Sequence, residues 1–133
     1  MLLGSCRAIN GPAEMSALRD AIQHWNELAY HARIHGEWVE RGATIEKFAA
    51  ANLVRRVTQA AKIPFPLKHA SAQAASKAFL AVAQAFVVAA RDEDRLQLAR
   101  FMIAGARCVD AILTEHGHAQ AATWRRNFPG EEL

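Results

Sequence analysis

Between Met15 and Val39, the residues Met15, Leu18, Ile22, Trp25, Ala29, Ala32, Gly36 and Val39 recur at alternating spacings of three and four. Side chains at those spacings stack on one face of an α-helix, whereas a strand would scatter them over both of its faces. The stripe therefore predicts a helix of more than three heptads, with an apolar seam that must be covered by other elements. Pro12 suits its first helical position, and Gly42 suits the residue just past its end. Gly36 is a place where this helix can kink.

The rest of the chain reads the same way. There are 29 alanines against seven glycines and four prolines, a balance that favours helix throughout. A second helix is expected from an N-cap at Thr44 to about Ile63, with Ala49, Leu53, Val57 and Ala60 inward. Pro64-Phe65-Pro66 breaks it. A third is expected over His69–Arg91, with Ala72, Ala75, Phe79, Val82, Phe86 and Ala90 as its main stripe. Arg91-Asp92-Glu93-Asp94 reads as a turn whose acids complement the dipole of the next helix. That fourth helix is expected over Glu93–His116, with two apolar stripes, Leu96/Ala99/Ile103/Ala106/Leu113 and Leu98/Met102/Val109/Ile112. A short fifth helix is expected over His118–Asn127, before the acidic tail Pro129–Leu133. Short connections between long helices favour antiparallel neighbours, so the expected fold is all-α, an antiparallel four-helix bundle with a short C-terminal fifth helix. With 133 residues, 52% of them apolar, the chain is read as a single helical domain over residues 12–133. Residues 1–11 are read as a poorly ordered lead-in, because MLLGSC lacks both the charged and the long apolar stretch of a leader.

Charge is distributed unevenly along this frame. From Lys47 to Arg91 there are seven basic residues and no Asp or Glu. The flanking segments are each net −2, so the overall charge of +3 hides a basic middle of +7. Cations without intervening carboxylates raise the local potential, as phosphate binding requires. Arginine outnumbers lysine twelve to four, which suits bidentate phosphate contact. The candidate nucleic-acid-binding residues are Lys47, Arg55, Arg56, Lys62, Lys68 and Lys77, with Phe48 or Phe65 available to stack on a base. The competing reading pairs these cations across helices with Glu37, Glu40 and Glu46. Thr44–Lys62 has the length of a helix-turn-helix core, but no turn divides it. Contact with the backbone, without base specificity, fits better than groove reading.

Other constellations are weaker. Glu27, His31 and His35 lie four apart in turn, a spacing that lets neighbouring side chains share a metal ion. A di-iron bundle needs two Glu-x-x-His pairs, and Glu115–His118 is a single match straddling Gly117, so no metal or other cofactor is expected. In Trp124-Arg125-Arg126-Asn127-Phe128 the two aromatics, four apart, are expected to pin a terminal helix. Cys6 and Cys108 form no metal-spaced pair and read as free thiols in a reducing cytoplasm. The longest apolar run, Ala78–Ala90, is short for a membrane span, so no membrane partner is expected. There is no glycine-rich phosphate loop, no nucleophile elbow and no cysteine beside a recognisable base, and the chain is read as a non-enzyme.

These features lead to a small basic helical subunit or accessory of a nucleoprotein complex. It would bind RNA or single-stranded DNA by its backbone and meet a protein partner, or a second copy, through surplus apolar surface on the third and fourth helices. In size, class and charge it is similar to the small helical subunits of CRISPR effector complexes; no motif carries the likeness. The alternatives are a non-enzymatic protein-interaction module, an inhibitor or chaperone-like dimer, acting on an acidic protein, and a metal-binding bundle built on Glu27, His31 and His35.

Overall fold

The computed structural model describes residues 12–116, with side chains from Met15 onward; the lead-in, the expected fifth helix and the Trp124–Phe128 segment lie outside the described residues. Four helices follow one another: α1 (Pro12–Glu40), α2 (Lys47–Ala61), α3 (Ala70–Val88) and α4 (Asp92–Glu115). Each packs on the next, and α4 returns against α1 to close the bundle. The contacts give the directions. Trp25 meets Ile63 while His35 meets Ala49, so α1 and α2 run oppositely. Glu37 meets Arg107 while Glu40 meets Arg100, so α1 and α4 do too. Phe79 abuts Gly105 while Phe86 lies under Arg95, which sets α3 against α4.

α1 runs through Gly36 without a break. A Cβ there would meet Ile103 Cγ1 at 2.7 Å and the Ala99 carbonyl oxygen at 3.0 Å, so the glycine serves close approach to α4. Gly42, at φ +77°, ends the helix in a Schellman motif. The Gly42 amide donates to Val39 O (3.0 Å) and the Ala43 amide to Trp38 O (2.9 Å).

α2 does not begin at Thr44; its N-cap is Glu46, which makes no side-chain cap bond. The non-helical residues before it let Ile45 pack against the core. A helix started at Thr44 would hold Ile45 well off the face that carries Leu53 and Val57. α3 begins one residue later than expected, because the His69 side chain caps it by accepting from the Ala72 amide.

The core is formed by Trp25, Leu28, Leu53, Phe79, Met102 and Leu113, with alanines between them. On α3 the buried line is Ala72, Ser76, Phe79, Ala83 and Phe86; Ser76 and Ala83 replace the expected Ala75 and Val82. Ser76 is hidden from an apolar search, yet its hydroxyl donates to Gln73 O (3.0 Å) and so tolerates burial. On α4 the two expected stripes merge into one broad buried face, Ala99, Met102, Ile103, Ala106, Val109 and Leu113. At the start of α1, Met15 and Leu18 stay exposed. α3 is long and apolar enough, by length and mean hydropathy, to cross a membrane; its two phenylalanines are committed to the bundle core.

Candidate nucleic-acid interface

α2 contains no acid along its length, and its buried residues Leu53, Val57 and Ala60 define one face. Opposite that face, Phe48, Arg55 and Lys62 follow at intervals of seven residues, nearly eclipsed along the helix and about 10.5 Å apart in rise. All three are exposed, and so is Lys47 beside Phe48. Asn52 and Gln59 lie along the same line, and the Arg55 guanidinium donates to Asn52 Oδ1.

The α2–α3 connection extends this surface. The Trp25 indole donates to Ile63 O (3.0 Å), and Gln73 Nε2 donates to Leu67 O (2.6 Å) and Phe65 O (3.3 Å). Phe65 is buried, 2% exposed, with its ring edge-on to Trp25 at 5.2 Å. The loop is thus fastened to both α1 and α3. Lys62 lines two clefts flanking it, one of 460 Å³ shared with Lys68 and one of 250 Å³ shared with Lys77. The first also carries Leu18, Pro64, Asp20 and His24. Lys62 therefore joins the outer line of α2 to the two lysines around the loop.

Arg56 separates from the other candidates. It turns into the α1–α2 groove, where its guanidinium donates to Glu27 Oε1 at 2.6 Å, each side chain 20% exposed. Phe65, expected as a stacking residue, is excluded from that role by its burial in the core. Phe48, by contrast, is 85% exposed. Among the described residues, Arg33, Arg41, Arg56, Arg91, Arg100 and Arg107 make the ion pairs, and Lys47, Arg55, Lys62, Lys68 and Lys77 have no carboxylate partner. Glu37 and Glu40 turn toward α4 and leave the α2 cations alone.

The metal candidates do not converge. His35 is 2% exposed, with Nδ1 2.7 Å from His31 O and Nε2 3.1 Å from Ala49 O. Both ring nitrogens are engaged by carbonyl oxygens, which leaves none for a ligand bond. Glu27 is held by Arg56 and by Gln23. Burial pushes His31 down to about 4, with the Arg56 cation adding to the effect. Among the described residues no three of His, Cys, Asp and Glu gather as a metal site. At the loop end of the bundle, His69 and His116 lie ring to ring at 4.9 Å, and His116 Nδ1 sits 2.9 Å from Ile112 O at the α4 terminus. Sequence reasoning did not foresee that pairing, since 47 positions separate the two residues and only the antiparallel packing of α3 on α4 unites them.

Comparison with protein-family models, with curated proteins and with solved structures gave no match.

Proposed function

We propose that this chain is a small basic helical subunit or accessory of a nucleoprotein complex, and that it binds a nucleic-acid backbone without strong sequence specificity. The observation that carries the reading is the acid-free outer face of α2, whose cations have no carboxylate partner among the described residues and continue through Lys62 to Lys68 and Lys77. Unpaired cations release counterions when phosphate binds, and that release drives binding regardless of sequence. Arg56 contributes less than its neighbours, because it is already neutralised by Glu27.

Protein contact falls to α3 and α4. Val88 and Phe101 are exposed, and Ala104, Cys108 and Ala111 extend the apolar surface along α4. Such a surface is suited to a neighbouring subunit or a second copy. Arg55→Glu, Lys62→Glu and Lys68→Glu combined should abolish binding to mixed-sequence RNA and DNA while helicity by circular dichroism stays unchanged. Unaltered affinity in that variant would sink the proposal. A partner captured by pull-down that resists nuclease but is released by salt would favour the acidic-protein alternative.

A further inference from the structure

We infer that the nucleic acid this face takes is single-stranded, laid lengthwise along α2 with one base stacked on the Phe48 ring and its phosphates on Arg55 and Lys62. The inference rests on the backbone-binding reading and adds the form of the ligand. Phe48 is a large aromatic with 85% of its surface in water, although the core a few residues away is closely packed. It is aligned with Arg55 and Lys62 at successive intervals of seven, and Asn52 and Gln59 lie along the same line. An aromatic ring at one end of a cationic track is the combination that grips an unpaired strand: the ring stacks on a base of any identity, and the cations follow the backbone. A duplex buries its base faces within its own stack, so the ring has nothing to stack on there and only the cations contribute. Glu46, two residues before Phe48, precedes the helix as its extended N-cap, and from Lys47 to Ala61 α2 itself carries no acid.

The neighbouring geometry sets a direction for the strand. α2 ends at Lys62, where the chain turns into the loop that carries Lys68 and brings Lys77 alongside. From Phe48 the strand has cations ahead of it at Arg55, Lys62 and then the two loop-end lysines. On the other side of Phe48 the cations are spoken for: Arg100 pairs with Glu40, and Arg91 pairs with Glu93 and Asp94 at the start of α4. A polyanion is thus drawn from Phe48 toward the α2–α3 loop.

The test uses the full chain and fluorescence anisotropy with a mixed-sequence 20-nucleotide RNA, the same sequence as single-stranded DNA, and its duplex. Wild type should bind both single strands more tightly than the duplex. Phe48→Ala should weaken single-strand binding by roughly 5- to 150-fold, the range of one lost base–aromatic stack. Its salt dependence should be unchanged, because no phosphate contact is removed. Phe48→Trp should retain affinity and Phe48→Leu should not, which separates stacking from simple apolar contact. Because Phe48 is exposed, none of these changes should alter the thermal midpoint, and circular dichroism checks that. If Phe48→Ala binds single strands like wild type, or if the duplex binds as tightly as the single strands, the inference is overturned; the backbone reading survives when Arg55→Glu with Lys62→Glu still abolishes binding. If none of the three polynucleotides binds, both fail together.

Discussion

Along the seam between α1 and α4, Glu37 holds Arg33 at 3.3 Å, Arg41 at 3.7 Å and Arg107 at 3.5 Å, and Glu40 holds Arg100 at 3.6 Å. On the outer face of α2, Lys47, Arg55 and Lys62 meet no carboxylate among the described residues, and the same holds for Lys68 in the loop and Lys77 on α3. The two regions use similar residues and differ in whether an acid lies on the same or the neighbouring helix. Arg41, Arg100 and Arg107 are mostly exposed, and pairs of that kind add little stability, so these charges chiefly cancel the seam's field. The α2 face leaves its field standing, and a standing field attracts a polyanion. The overall charge of +3 conceals this difference, because the neutralised and the bare cations are counted alike.

The largest expected effect comes from prising the seam apart. Gly36→Val places its side chain against Ile103 and the Ala99 carbonyl, and should cost about 3 kcal/mol in denaturant unfolding. Nucleic-acid affinity measured well below the new midpoint should not change. Next is to give α2 the acids that the seam already has. Ala51→Glu and Thr58→Glu each place a carboxylate four residues before Arg55 and Lys62. Each new pair should add about 0.3–0.5 kcal/mol to stability. The same change should weaken single-strand binding by about 100-fold or more, an opposition that gel shift and calorimetry together would reveal.

The reverse change is smaller. Glu37→Gln releases Arg41 and Arg107, and should cost about 1–2 kcal/mol because the Glu37 side chain is only 16% exposed. It should also add weak, salt-sensitive nucleic-acid binding on that face. The smallest effect lies at the border, where His31 is flanked by Arg56. Its folded-state value of about 4 lies below the unfolded value near 6.5, so the folded chain binds the proton less readily. Stability should therefore fall as pH drops through that window. Between pH 6.5 and 5 the loss should be on the order of 1 kcal/mol after allowing for solvent screening, and His31→Gln should flatten it in urea titrations.

The helices were legible because their apolar spacing is close to ideal and their ends carry strong signals. Gly42 marked the end of α1, and the Pro64–Pro66 stretch marked the break after α2. The misplaced start of α2 and the shifted stripe on α3 have local physical causes. Ile45 had to reach the core from an extended link, and a self-bonded Ser76 took a core position that an apolar search gives to Ala75. The acid-free segment was visible in the sequence, but the fate of each cation was not. That Arg56 turns to Glu27 while Arg55 next to it stays in solvent depends on helix rotation, which a charge count does not contain. The same limit applied to the phenylalanines: Phe48 and Phe65 looked equivalent until Trp25 claimed one of them for the core.

The most direct measurement is the salt dependence of binding to single-stranded RNA by anisotropy, between about 50 and 200 mM salt. For three to five bare cations the logarithm of affinity should fall against the logarithm of salt with a slope of about −2 to −3.5. The slope should be unchanged in a chain lacking Arg100 and Arg107, and should shrink by about 1.4 in one lacking Arg55 and Lys62. No binding at the lower salt, or a slope reduced as much by the seam substitutions as by those on α2, would contradict the account.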